Sequence, residues 1–130
     1  MRYRGLLTVL ILIALTIVVS SGFIARGDVV LGAFRETEDG SALTVEVDVV
    51  NSMGHVRSAS EEQVGDCLYV KFYSAFGGHN GTLGARSSFE LETPDTCREI
   101  YFFRDGQPNE RYDLVLRRDS ADAKWEPVEP

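Results

Sequence analysis

The sequence predicts a small all-β protein, an antiparallel β-sandwich of immunoglobulin-like type or a barrel, preceded by an N-terminal apolar helix. Three observations predict it. An uncharged, strongly apolar run extends from Gly5 to Ala25. After Arg26 the apolar residues recur at every second position, which is the period of a half-buried strand and not the 3.6-residue period of a helix. Glycine, asparagine, aspartate and proline separate the alternating segments, as turn residues do between short strands.

The first 26 residues carry Arg2 and Arg4, then the uncharged run, then Arg26. A helix rising 1.5 Å per residue needs about 20 such residues to cross a hydrocarbon core of roughly 30 Å. The arginines before the run, with the terminal amine, outweigh the one after it, so the N-terminus is expected to stay in the cytoplasm and the rest to lie outside. Residues 1–26 are therefore read as a signal peptide or a signal-anchor transmembrane helix, with residues 6–25 in the membrane. The zone Ser20-Ser21-Gly22 lacks an A-x-A cleavage sequence and the apolar run continues past it, which favours the anchor. No cysteine follows the run to accept an acyl chain.

Residues 27–130 have the size of one domain and are expected to form one extracytoplasmic β domain. The whole chain has a formal charge of -7; removing Arg2, Arg4 and Arg26 from the 13 basic residues leaves 10 against 20 acidic ones. That excess argues against non-specific binding of the domain to nucleic acid or anionic lipid, because both require a positive field, and no nucleic-acid partner is expected. Leu43, Val45, Val47 and Val49 alternate with Thr44, Glu46 and Asp48 in the first clear strand. Val29 to Phe34 is a further candidate before it, and the acidic stretch Glu36 to Gly40 reads as a solvated turn. His55 to Val64 is mostly polar and reads as an edge strand that ends at a Gly65-Asp66 turn. Cys67 to Ser74 places Leu68, Val70 and Phe72 inward. Ser88 to Glu92, Glu99 to Arg104 and Tyr112 to Arg117 follow, with Phe89/Leu91, Ile100/Phe102 and Leu114/Leu116 as inward pairs. The tail after Arg118 forms a last hairpin with Trp125 packing back. Because no helix is expected between strands, every strand pairing is expected to be antiparallel.

Cys67 and Cys97 are the only cysteines, and outside the membrane they are expected to pair as a disulfide. The loop that it closes, about thirty residues, would contribute roughly 3 to 4 kcal/mol through the unfolded chain. With only His55 and His79 to join them, these cysteines show no zinc spacing, so no metal or other cofactor is expected. Phe76, Gly77, Gly78, His79 and Asn80 form a glycine-dense loop, a candidate partner-binding segment that equally suits a long turn. It contains no lysine and is not a phosphate-binding loop. Tyr69, Tyr73, Tyr101 and Phe103 share the outward parity, so they form a candidate aromatic patch unless a second sheet covers them. Glu36, Glu38 and Asp39, or Asp119 and Asp122, are candidate calcium turns but lack the order of the calcium loop.

The segments Asn51-Ser-Met-Gly-His-Val-Arg, Gly65-Asp-Cys-Leu-Tyr-Val-Lys-Phe-Tyr-Ser, Phe76-Gly-Gly, Leu83-Gly-Ala, Glu99-Ile-Tyr-Phe-Phe and Tyr112-Asp-Leu-Val-Leu span most of the domain. Together they resemble a family of small, uncharacterised exported or membrane-anchored bacterial proteins with one β-rich domain. The resemblance implies a bacterial, extracytoplasmic setting and brings no activity or catalytic residue. No nucleophile elbow or catalytic carboxylate spacing stands out, and the expected function is a membrane-anchored or secreted envelope protein, a non-enzymatic binding or structural module whose partner is a protein or a cell-envelope component. The alternatives are an envelope hydrolase using acidic residues and His79, and a calcium- or sugar-binding module.

Overall fold

The computed structural model describes residues 2–21, 25–38, 40–49, 55–75, 84–106 and 109–128. The apolar run is a helix, α1, Arg2–Ser21, followed by nine strands: β1 Ala25–Arg26, β2 Val29–Glu36, β3 Ala42–Val49, β4 Val56–Val64, β5 Cys67–Ser74, β6 Ser88–Glu92, β7 Glu99–Asp105, β8 Arg111–Arg117 and β9 Glu126–Pro127. Side chains in α1 are described for residues 4–16. Leu6, Leu7, Val9, Leu10, Ile11, Leu12, Ile13 and Leu15 are each more than half exposed there. The membrane span expected through Ala25 stops short of it, because Ala25 and Arg26 form β1 and pair with Tyr73 and Phe72 in the sheet; residues 22–24 lie outside the described set, and among the described residues no helix is long and apolar enough to cross a membrane.

The strands form two sheets. One holds β1, β4, β5, β7, β8 and β9, and the other has the order β2-β3-β6. Leu68, Val70, Phe72, Ile100, Phe102 and Leu116 of the first sheet and Val29, Leu43, Val45, Val47, Phe89 and Leu91 of the second belong to one buried cluster, so the fold is mostly β and is not a closed barrel. Phe72 is the hinge of that cluster: its ring stands edge-on to Phe102 in its own sheet at 4.8 Å and to Phe89 of the other sheet at 5.6 Å. The β4–β5 hairpin turns on Gly65-Asp66, with Gly65 at φ 60, as a two-residue turn of the II′ pattern requires. Strand β4 pairs with β5 alone and is an edge, while β2 runs two residues beyond the expected Phe34.

One pairing departs from the antiparallel expectation. β5 and β7 are parallel, with Cys67 opposite Glu99 and Tyr69 opposite Tyr101. A parallel pair needs a crossover, and here the connection passes through β6, which lies in the other sheet. The second edge of β5 is shared: β7 covers Cys67 to Val70, and β1 covers Phe72 and Tyr73.

Bulges redirect particular side chains. On β8, Ile100 pairs with Leu116 and Tyr101 with Leu114, so Val115 is the extra residue and is buried beside Leu116. Leu114 is thereby taken out of the inward set in which strict alternation placed it. Arg104 is the extra residue on β7; its guanidinium donates to the Val29 carbonyl at 2.7 Å and to Asp113 at 3.0 Å, pinning the corner where the chain passes from β1 to β2. At that corner a Cβ on Gly27 would lie 1.7 Å from the Arg104 carbonyl oxygen, so only glycine fits. Arg26 holds Asp28 by two hydrogen bonds, 3.0 and 2.8 Å, and keeps its carboxyl below the usual carboxylate range. The tail closes as expected: Trp125 is buried, and β9 pairs with β8. The buried Arg118 guanidinium lies 4.5 Å from the Trp125 ring and donates to the carbonyls of Cys97 and Pro94, which joins the tail to the segment before β7.

Two substitutions test this architecture by thermal or denaturant unfolding of the full chain. Phe72→Ala is expected to cost about 3 to 5 kcal/mol, since it empties the contact between the sheets. Gly27→Ala is expected to cost about 1 to 3 kcal/mol, because the added methyl group meets backbone that Arg104 holds in place. A Gly27→Ala chain as stable as the parent would contradict the corner described here.

Candidate functional site

The site lies on the face of the six-stranded sheet that points away from the second sheet, and β5 builds its centre. With Leu68, Val70 and Phe72 committed inward, Cys67, Tyr69, Lys71 and Tyr73 must point outward. Parallel pairing in register puts Tyr69 beside Tyr101, and strands about 4.8 Å apart bring their rings into contact. The two rings are stacked, with centroids 5.1 Å apart and planes 20° from parallel. Tyr112 meets Tyr69 edge-on at 5.1 Å, and Phe103 meets Tyr112 edge-on at 5.7 Å. The three tyrosines are half-buried, whereas Phe103 is buried beneath its neighbours.

One cation already uses this surface. The Lys71 ammonium sits 5.0 Å from the Phe103 ring centroid and forms an ion pair with Glu110, which also accepts a hydrogen bond from the Tyr112 hydroxyl at 3.2 Å. The Glu110 carboxylate raises the Lys71 pKa, and Lys71 in turn lowers that of Glu110. At the other end of the same strands, Asp66, Cys67 and Glu99 place one thiol and two carboxylates within 4.8 Å of one another. The one thiol proton is shared between Asp66, 3.4 Å from Sγ, and Glu99, 3.6 Å away, and the Tyr101 hydroxyl donates to the second Glu99 oxygen at 3.2 Å. Among the described residues neither carboxylate forms an ion pair, although Arg117 stands opposite Glu99 in the sheet register. Desolvation and the two neighbouring carboxylates push the Cys67 thiol up to about 11, and burial together with Glu99 pushes the Tyr101 hydroxyl up to about 12. This end of the face accepts hydrogen bonds and positive charge, and its thiol is protonated at neutral pH.

The expected disulfide is not formed: Cys67 and Cys97 are free thiols. Cys67 has the outward parity of β5, while Cys97 is fully buried in the core cluster, so the two lie on opposite sides of the sheet. Of the expected aromatic patch, Tyr69, Tyr101 and Phe103 come together. Tyr73 stands apart, its hydroxyl 3.4 Å from Ser60. The loop Phe76, Gly77, Gly78, His79 and Asn80 lies outside the described residues, as does Asp39. Among the described residues, Asp66, Cys67 and Glu99 are the one group of three or more metal-ligating side chains, and Asp119 and Asp122 form no such group. Spacing along the sequence gave no sign of this cluster, because Glu99 reaches it only through the parallel β5–β7 pairing. Tyr112 was likewise hidden: alternation gives it the parity of Leu114 and Leu116, and the bulge at Val115 is what separates it from the inward residues.

Comparison with protein-family models, with curated proteins and with solved structures finds no match to this chain.

The environment of Cys67 makes it a slow nucleophile. A rise from 9.0 to about 11 lowers the thiolate fraction at pH 8 by roughly two orders of magnitude, partly offset by the greater reactivity of a more basic thiolate. Alkylation by iodoacetamide at pH 8 is expected to run on the order of tenfold slower than for a small-molecule thiol, and Glu99→Gln is expected to accelerate it. Cys97 is inaccessible to the reagent in the folded chain. Alkylation only after treatment with a reductant would reveal a disulfide and contradict the free-thiol geometry.

Proposed function

We propose that this chain is a membrane-attached β-sandwich of the cell envelope that uses the outer face of its six-stranded sheet as a non-enzymatic binding surface. The observation that carries the reading is the cluster of Tyr69, Tyr101 and Tyr112, half-exposed on the side away from the second sheet. Tyrosines in contact offer a large apolar area with polar tips and little side-chain entropy to lose, which suits a binding surface. The single core drawn from both sheets and the passage of the chain from β5 through β6 to β7 support the sandwich architecture.

Membrane attachment is supported by the chemistry of α1. Apolar side chains are exposed all around its described part, a surface that water does not favour. Its threonines add no free polar group, since Thr8 donates to the Arg4 carbonyl at 2.9 Å and Thr16 to the Leu12 carbonyl at 2.8 Å. Arg2 and Arg4 precede the apolar run and set the orientation with the domain outside.

Tyrosine footprinting tests the binding surface. The full chain, expressed in its native envelope, is treated with tetranitromethane in the membrane fraction and again after purification in a non-ionic polyoxyethylene detergent. Tyr69, Tyr101 and Tyr112 are expected to be modified several-fold more slowly in the envelope, with Tyr73 changing less. Equal modification in both preparations would remove the basis for the binding surface, and recovery of the chain in the soluble fraction would contradict membrane attachment.

A further inference from the structure

The outer face contains the same two ingredients twice, aromatic rings and carboxylates, but among the described residues only one set forms an ion pair with a cation. Around Lys71 the set is complete: an ammonium lies over the Phe103 ring with the Glu110 carboxylate beside it. Two residues along β5, about 7 Å away, the Tyr69–Tyr101 stack borders Asp66 and Glu99, whose described partners are the Cys67 thiol and the Tyr101 hydroxyl. Among the described residues neither carboxylate forms an ion pair; Arg117, opposite Glu99 in the register, offsets part of the negative charge, and the exposed Glu62, next to Tyr69 in the register, adds to it. A planar cation is the complement of such a surface, because it stacks on an aromatic ring while donating in its plane to carboxylates.

Resting on the reading of this face as a binding surface, we propose that its occupant is an arginine side chain of a partner protein, whose guanidinium lies against the Tyr69–Tyr101 stack and donates to Asp66 and Glu99. Arginine fits better than lysine: its forked donors match carboxylates grouped within 4.8 Å, and its weaker hydration lowers the cost of leaving water. The excess of acidic over basic residues in the domain acts in the same direction by attracting basic segments to the surface.

The test is a titration of the full chain, in the same non-ionic detergent, with a tetra-arginine peptide, a tetra-citrulline peptide of equal length and a tetra-lysine peptide. Tetra-arginine is expected to bind and tetra-citrulline to fail. Glu99→Gln and Tyr69→Leu are each expected to weaken tetra-arginine binding about fivefold or more, whereas Glu90→Gln, an exposed charge on β6 in the other sheet, leaves it unchanged. Glu99→Gln removes a charge without changing volume, so it keeps the test decisive if Tyr69→Leu loses its fold. Tetra-lysine binding as tight as tetra-arginine, or equal loss on Glu90→Gln, would overturn the assignment. The two readings fail separately. Tyrosines protected in the envelope with no preference for tetra-arginine would leave the binding surface standing and remove its cationic occupant, and unprotected tyrosines would remove the surface itself.

Discussion

The alternation of β5 is the constraint from which both the core and the candidate site follow. Leu68, Val70 and Phe72 are each at most 2% exposed, so the strand has no freedom of register: a shift by one residue would exchange them with Tyr69, Lys71 and Tyr73. The same burial that fixes the inner face therefore fixes the outer one. Phe72 is central because its ring contacts Phe102 beside it and Phe89 across the core, which ties the two sheets at the strand that also carries the tyrosine surface.

The parallel pairing of β5 with β7 turns this alternation into a site. In-register parallel strands put equivalent rows side by side, which stacks Tyr69 on Tyr101 and brings Glu99 to Cys67. Bulges complete the surface: Val115 separates Tyr112 from the inward residues, and Arg104 leaves the ladder to bind the β1–β2 corner. Desolvation and then the two carboxylates raise the pKa of Cys67, so the thiol stays protonated and donates to them.

The sequence made most strands legible because one face of each is buried and the period of two is explicit. Cys67 to Ser74 and Ser88 to Glu92 coincide with β5 and β6 for that reason. The weaker β2 and β4 were harder, since their polar, exposed halves mask the alternation. What alternation cannot reveal is how strands are ordered across two sheets. It therefore gave Tyr69, Tyr101 and Phe103 the correct common face but not their contacts, left Tyr112 out, and hid the approach of Glu99 to Asp66 and Cys67. The same ignorance allowed a disulfide between two cysteines that the sheet itself separates. Arg118 was unreadable too, because its partners are backbone carbonyls on a distant segment and carry no sequence signal.

The central claim is that the outer tyrosines serve the surface and the inner phenylalanines serve the fold. Thermal unfolding of the full chain carrying both Tyr69→Thr and Tyr101→Thr tests it most directly. Threonine suits a strand, and loss of the Tyr69–Tyr101 stack and the Tyr69–Tyr112 edge contact is worth about 2 kcal/mol, so the midpoint should fall by no more than about 15 °C with a single cooperative transition. Loss of the cooperative transition, or a fall as large as that caused by removing the Phe72 ring, would show that the tyrosine face is a structural element and not a displayed one.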